Sequence, residues 1–121
     1  MAVDDVEVNI YLLSKILEKT NATIISALGG QEALDKIETD TPDIILLDLR
    51  MPVISGYEVI ERVKSNPEYA SIPIIVISAY TNQEDIDRTM AVGAADFVYK
   101  PVIMTQLFES INKHLNKNDN K

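Results

Sequence analysis

The sequence predicts an α/β fold built on an open parallel sheet, because continuous apolar runs alternate with segments of helical periodicity. The runs Ile44–Leu47 and Ile74–Ile77 are apolar at every position, which is typical of strands covered on both faces. Between them, apolar residues recur every three or four positions, as in helices with one buried face. Strands that alternate with helices connect by right-handed crossovers in a parallel sheet.

Five strands and five helices are expected along the chain. The predicted strands are 1–3, 23–27, 44–47, 74–77 and 95–99. The predicted apolar faces of the helices are Tyr11, Leu12, Leu13, Ile16 and Leu17; Ala33, Leu34 and Ile37; Tyr57, Val59, Ile60 and Val63; Ile86, Met90 and Val92; and Leu107, Phe108, Ile111 and Leu115.

The ends of the helices are marked by residues with distinct backbone preferences. Thr81–Glu84 has the form of a capping box, which begins the fourth helix, and Gly93 ends it. The last helix runs from Met104 to about Leu115. We expect one domain over residues 1–116 and a polar tail over 117–121, with the single histidine, His114, solvated at the polar end of the last helix.

Composition limits the possible functions. The chain has 121 residues, 46% of them hydrophobic, which suffices for one core. It carries 19 acidic and 11 basic residues, and a net charge of −8 disfavours direct binding to nucleic acid. It has no cysteine, and no apolar run approaches the roughly 20 residues that a membrane-spanning helix needs. We expect a cytoplasmic protein without membrane insertion or a signal peptide.

Polar residues follow the predicted strands where a ligand site is expected. Asp4 and Asp5 follow the first strand, Asp48 the third, Ser78 the fourth and Lys100 the fifth. The carboxyl ends of parallel strands meet at one edge of the sheet. Crowded carboxylates repel one another and favour a cation, and a hard ion such as Mg²⁺ leaves coordination positions for a phosphate. An acidic protein also ends strands with single aspartates by chance, but three aspartates together with a serine and a lysine indicate phosphoryl-transfer chemistry.

These residues stand in a familiar pattern that covers the chain from Ala2 to about Leu115. The chain resembles the receiver domain of bacterial two-component response regulators, the CheY-like family. The matching segments are Val3-Asp4-Asp5 with Asn9, Leu47-Asp48-Leu49-Arg50-Met51-Pro52 with Gly56, Ser78-Ala79, and Lys100-Pro101. The resemblance implies a flavodoxin-like, doubly wound sheet of strand order 2-1-3-4-5 with helices on both faces.

The resemblance also implies a role for each site residue. Asp48 would accept the phosphoryl group, with Lys100 and Ser78 as its partners. Mg²⁺, or Mn²⁺ in its place, would be held by Asp5, Asp48, the main-chain carbonyl of Arg50 and, through water, Asp4.

Other positions would serve the switch or the fold. Ser78 and Phe97 would form the switch pair, and Arg50 and Tyr80 would tune the lifetime of the phosphoryl group. Pro101 would follow a cis peptide bond, and Gly56 supports the fold.

The partners follow from the same resemblance. A histidine kinase or histidine phosphotransfer protein would supply the phosphoryl group. A downstream effector would bind the surface of the fourth helix, fifth strand and fifth helix. The domain would be a signalling module that assists its own phosphorylation and dephosphorylation, not a separate enzyme.

The first strand departs from the family pattern, because only Met1, Ala2 and Val3 precede Asp4. Such an interior strand looks truncated, and shortening it should leave neighbouring backbone groups unpaired. Three explanations stay open: the chain is cut from a longer regulator or hybrid histidine kinase, its start is misassigned, or another molecule completes the pairing through swapping or self-association.

Two rival functions remain from the sequence. A pseudo-receiver would keep the fold and signal without phosphate, but Asp5, Asp48, Ser78 and Lys100 are all present. A magnesium-dependent phosphohydrolase with an aspartyl nucleophile would share these residue types. The segment Asp48-Leu49-Arg50 lacks the second aspartate of that class.

Overall fold

A computed structural model describes the backbone of residues 1–20, 22–79 and 82–119, and the side chains as far as residue 115. The strands are β1 (Ala2–Val3), β2 (Ser26–Ala27), β3 (Ile45–Asp48), β4 (Ile74–Ser78) and β5 (Asp96–Tyr99). The helices are α1 (Glu7–Leu17), α2 (Gly30–Thr39), α3 (Gly56–Ser65), α4 (Gln83–Ala91) and α5 (Met104–Asp119), and a 3₁₀ turn, Glu18–Thr20, follows α1.

The strands form one parallel sheet in the order β2-β1-β3-β4-β5, which confirms the expected topology. The register brings the carboxyl ends of the strands to one edge. Val3 is level with Leu47, and Ser78 is level with Tyr99. The polar residues that follow these strands are therefore neighbours, as the sequence predicts.

Both faces of the sheet are covered. Alternate strand residues pack towards α1 and α5 on one face and towards α2 and α3 on the other. Leu46 and Ile75, for example, pack in the layer between the sheet and helices α1 and α5, whereas Leu47 and Ile74 pack in the layer between the sheet and helices α2 and α3. This explains why β3 and β4 are apolar at consecutive positions.

The interior strand β1 is only two residues long, yet it pairs on both edges. Ala2 is level with Ser26 on one side and with Leu46 on the other. The Ala2 N–H donates to Ile25 O at 2.8 Å, and Leu46 N–H donates to Met1 O at 2.7 Å. The predicted five-residue second strand is wrong in length, because β2 pairs only with β1, which offers it two residues.

The buried face of α1 differs from the predicted one. Ile10, Leu13 and Leu17 are buried, at a spacing of three and four residues that follows one side of a helix. Tyr11 and Leu12 lie off that stripe and are 60% and 53% exposed, so their predicted place in the core is wrong.

The fourth helix begins one residue later than the capping box predicts. Asn82 is the N-cap, and its side-chain oxygen accepts the Asp85 N–H at 2.8 Å. Thr81 lies outside the described residues. Within α4 the buried side chain is Thr89, and Met90 is 43% exposed instead of lying in the core.

The last helix extends further than predicted and continues to Asp119, into the segment expected as a polar tail. Leu107 is its fully buried anchor, with Phe108 and Ile111 packed beside it. In the described part of the chain, no helix combines the length and apolar character needed to cross a membrane.

The loop between β3 and α3 contains a strained valine. Val53 has a φ of +67° and is fully exposed, and the Ile54 N–H donates to Pro52 O at 2.8 Å across it. A left-handed conformation costs an L-residue about 1–2 kcal/mol, whereas glycine adopts it freely.

We predict that Val53→Gly raises the free energy of unfolding by about 0.5–1 kcal/mol, after subtraction of the greater backbone entropy of unfolded glycine. Equilibrium urea unfolding measures the change. Val53→Ala is the matched control, because it keeps the Cβ atom and should gain less. A glycine variant less stable than the parent would contradict the assignment of strain.

Candidate functional site

Three carboxylates and one ammonium group meet at the carboxyl edge of the sheet. Asp4 and Asp5 follow β1, and Asp48 ends β3; one oxygen from each lies within 4.8 Å of the other two. Lys100 follows β5, and its Nζ is 3.4 Å from Asp4 Oδ2 and 3.6 Å from Asp48 Oδ1. The structure thus places these four sequence-predicted residues in one site.

The three carboxylates differ in their surroundings. Asp5 is exposed, the Asp48 side chain is 12% exposed, and the Asp4 side chain is buried. Burial raises the pKa of Asp48 to about 6, the Lys100 ammonium opposes this rise, and the charges of Asp4 and Asp5 add to it. Asp48 is therefore a carboxylate whose negative charge is poorly compensated without a further cation.

Asp4 already uses both of its oxygens. Its Oδ1 accepts a hydrogen bond from the N–H of Val6, the residue that precedes α1, at 2.9 Å. Its Oδ2 faces Lys100. Its side chain therefore serves the local structure, which fits a contact with a metal through water better than direct coordination.

The donor set suits a hard divalent cation. Carboxylate oxygens at one edge, with the exposed Asp5 beside the partly exposed Asp48, are the ligands that Mg²⁺ prefers. A cation there would also neutralise the charge that desolvation makes costly on Asp48. These residues fit a magnesium ion on the chemistry of their oxygens alone.

The other predicted site residues occupy the ends of β4 and β5. Ser78 is fully buried at the end of β4, and its carbonyl accepts the Lys100 N–H at 2.9 Å. Phe97 lies on β5, packs against the core layer of α2 and α3, and has its ring centroid 5.4 Å from that of Tyr99. The Lys100–Pro101 bond is cis, as the resemblance implies. Tyr80 lies outside the described residues.

The loop after Asp48 returns closely to its own strand end at Gly56. The Gly56 N–H donates to Leu49 O at 2.9 Å, and an added Cβ would lie 2.6 Å from the Asp48 carbonyl oxygen. A side chain at this position would displace the backbone of the aspartate itself, so Gly56 sets the shape of the site without chemistry of its own.

A cavity of about 450 Å³ opens beside Asp48 and Lys100. Its walls are mainly apolar residues of α1 and of the sheet, including Leu12, Leu13 and Leu46. The sequence does not predict this cavity, because the helical spacing places Leu12 on the buried face of α1.

Two contacts between charged or titratable side chains were not predicted from the sequence. Arg50 Nη2 lies 3.5 Å from Asp85 Oδ2 on α4. His114 is not solvated as expected; its side chain is 12% exposed, and its Nε2 lies 3.5 Å from Asp96 Oδ2, which also accepts the Ser110 hydroxyl at 2.6 Å. No local pattern marks either pair, because each joins residues on different elements.

Comparisons with known proteins agree with this architecture. Residues 1–112 match the sequence model of the response regulator receiver domain family. The polar-differentiation response regulator DivK of Brucella anthropi is 32% identical over 115 residues, which cover 95% of this chain and 94% of that protein.

Solved structures of proteins with receiver domains share the fold of this chain. The receiver domain of a signal transduction histidine kinase from Syntrophus aciditrophicus superposes with a TM-score of 0.91 at 28% identity, covering 99% of this chain and 91% of that one. The chemotaxis protein CheY4 of Vibrio cholerae does so with a TM-score of 0.86 at 29% identity, covering 93% of each chain.

The chain belongs to the response regulator receiver domain family of two-component signalling systems. Phosphorylation and Mg²⁺ binding in an acidic pocket are features of that family, and its members act as signalling domains that interact with histidine kinases and effectors. This chain carries the corresponding cluster of aspartates.

Proposed function

We propose that Asp48 accepts a phosphoryl group from the phosphohistidine of a partner histidine kinase or histidine phosphotransfer protein. The observation that carries this proposal is the position of the Asp48 carboxylate, beside Asp4 and Asp5 and 3.6 Å from Lys100 Nζ. Phosphoryl transfer needs a nucleophile, a cation site and a fixed positive charge, and these three lie together at one edge of the sheet.

The proposed reaction is an in-line displacement. An Asp48 carboxylate oxygen forms a bond to phosphorus while the phosphorus–nitrogen bond of phosphohistidine breaks, and the imidazole nitrogen keeps the electron pair and takes up a proton. The product on this chain is an acyl phosphate. Lys100 offsets charge on the moving phosphoryl oxygens.

A bound Mg²⁺ would supply Lewis-acid stabilisation of the phosphoryl oxygens. We assign its protein ligands to Asp5, Asp48 and the Arg50 carbonyl, with Asp4 acting through water. The exposed Asp5 and the occupied oxygens of Asp4 support this division.

The output is assigned to a change in surface. A phosphoryl group adds about 1.5 to 2 negative charges and three acceptor oxygens. Ser78 moves to donate a hydrogen bond to one of these oxygens, and Phe97 enters the space that Ser78 leaves. The surface formed by α4, β5 and α5 then changes shape, which alters the binding of an effector. Arg50, two residues beyond Asp48, is assigned to tuning the lifetime of the phosphoryl group. Tyr80, two residues beyond Ser78, keeps the same assignment on the sequence alone.

Phosphorylation is tested with phosphoramidate, a small donor that has the same phosphorus–nitrogen bond. The expected result is a gain of one phosphoryl group in intact mass that requires Mg²⁺ and is absent from Asp48→Asn. Circular dichroism establishes that both proteins are folded. No gain in the folded parent would favour a pseudo-receiver that signals without phosphate.

The metal site is tested without phosphorylation. We predict that saturating Mg²⁺ raises the melting temperature by on the order of 5 °C, since a ligand that binds only the folded state stabilises it. Asp5→Asn should lose most of this rise, because it removes a direct ligand. NaCl at equal ionic strength is the control. An equal rise in Asp5→Asn would remove Asp5 from the ligand set.

A further inference from the structure

Asp85, in the first turn of α4, connects that helix to two other elements. Its Oδ2 accepts Arg50 Nη2 at 3.5 Å from the loop after β3, and Asn82 Nδ2 at 3.0 Å. Its Oδ1 accepts the Tyr57 hydroxyl of α3 at 3.4 Å. One carboxylate therefore holds the start of α4 to the loop that follows the phosphoacceptor.

The rest of α4 is weakly buried. Among residues 83–91 the structure buries Thr89, whose hydroxyl donates to Asp85 O at 2.7 Å. The Arg88 guanidinium lies 4.0 Å above the ring of Tyr57. A helix with few buried apolar side chains unfolds locally with ease. The polar contacts at its first turn therefore account for much of what holds α4 to the rest of the domain.

Arg50 is placed to respond to a phosphoryl group on Asp48. One residue separates the two, so their Cα atoms lie within about 7 Å. The Arg50 side chain is 54% exposed, and its contact with Asp85 joins one nitrogen to one oxygen at 3.5 Å. An exposed ion pair of this kind contributes little to stability. A phosphoryl group carries more charge and accepts the guanidinium through two parallel hydrogen bonds.

We propose that Asp85 is a positioning residue that holds the Arg50 side chain on α4, and that a phosphoryl group on Asp48 competes for the same guanidinium. When Arg50 turns to the phosphate, α4 loses its tie to the loop after β3. This inference rests on the proposed phosphorylation of Asp48. It adds a route to α4 that does not pass through Ser78 or Phe97.

The test is a double-substitution cycle, Arg50→Gln, Asp85→Asn and both together, read by hydrogen exchange of the amides of residues 83–91. Arg50→Gln keeps the main-chain carbonyl assigned to the metal. Asp85→Asn also removes a negative charge from the first turn of α4, and the cycle separates that effect from the pair. Arg62→Gln is the matched control, because Arg62 is 53% exposed and pairs with Glu58 within α3.

Without phosphate, Arg50→Gln should speed exchange in α4 about two- to fivefold, the range expected for loss of a surface ion pair. In the Arg50→Gln background, Asp85→Asn should add only the loss of the helix-terminal charge and of the Asn82 contact, so the double variant is less than additive. Phosphorylation should speed α4 exchange in the parent and in Arg62→Gln. It should do so to a smaller degree in Arg50→Gln, where only the route through Ser78 and Phe97 remains. Arg50→Lys, which keeps the charge, should restore part of the response.

A second readout is the decay of the phosphoryl group, followed by intact mass. Asp85→Asn should change the decay rate when Arg50 is present and leave it unchanged in the Arg50→Gln background, which a purely structural role would not do. A full mass gain with unchanged α4 exchange, or strictly additive variants, would overturn this inference alone. Absence of any mass gain would overturn the proposed function and the competition with it.

Discussion

Asp48→Asn is expected to raise the free energy of unfolding of the metal-free protein by about 1–2 kcal/mol at pH 7, because solvent near the partly open site screens part of the charge penalty. Burial raises the pKa of Asp48 from its ordinary value to about 6. The folded state therefore disfavours the carboxylate that is present at pH 7. Asparagine has nearly the same shape and carries no charge, so it removes this penalty.

The sign of the pH dependence follows from proton binding. Between pH 4 and 6 the folded protein holds more protons at Asp48 than the unfolded chain does, so its stability falls as the pH rises through this window. Above pH 6 the penalty is complete, and below pH 4 it is absent. The difference between variant and parent should therefore grow from pH 4 to pH 7.

Urea unfolding in EDTA at several pH values measures this difference. Saturating Mg²⁺ is the control, because a cation beside Asp48 should stabilise the parent more than the variant and shrink the gap. A difference that stays constant with pH, or that is larger in acid, would show that the Asp48 charge is not the cause.

Lys100→Ala should lower the rate of phosphorylation by about 10²- to 10³-fold, the effect of removing one preorganised charge from a transition state. Lys100 Nζ is the cation nearest to Asp48 among the described contacts, at 3.6 Å. Lys100→Arg keeps the charge but changes a point charge into a planar group, so its rate of phosphorylation should lie between that of the parent and that of Lys100→Ala. The rate of mass gain from phosphoramidate measures both.

The alanine variant also leaves the buried Asp4 carboxylate without its ammonium partner. Circular dichroism and urea unfolding must therefore accompany the rate measurement. A folded alanine variant that is phosphorylated within about threefold of the parent rate would exclude Lys100 from charge stabilisation.

The main elements and the edge that carries the site could be predicted because their signals are local. The consecutive apolar runs of β3 and β4 need covering on both faces, and this alone indicates a parallel sheet between helices. Once the sheet is parallel, Asp48 and Lys100 must meet at its carboxyl edge. The distance of 3.6 Å between their charged atoms agrees with that reasoning.

The features that could not be predicted depend on partners distant in sequence. Tyr11, Leu12 and Leu13 are all apolar in a helix, and only the position of the sheet decides that Leu13 is buried while the other two are exposed. The contact of Arg50 with Asp85 joins residues 35 positions apart. The length of β2 depends on β1, since a strand extends only as far as its neighbour pairs with it.

The central claim is that Asp48 itself carries the phosphoryl group. Borohydride reduces an acyl phosphate to an alcohol with release of phosphate, which converts the modified aspartate to homoserine. The protein treated with phosphoramidate and Mg²⁺, then reduced and digested, should contain homoserine at position 48 and aspartate at positions 4, 5 and 96. Homoserine at another position, or a phosphoryl group that survives on His114, would contradict the assignment.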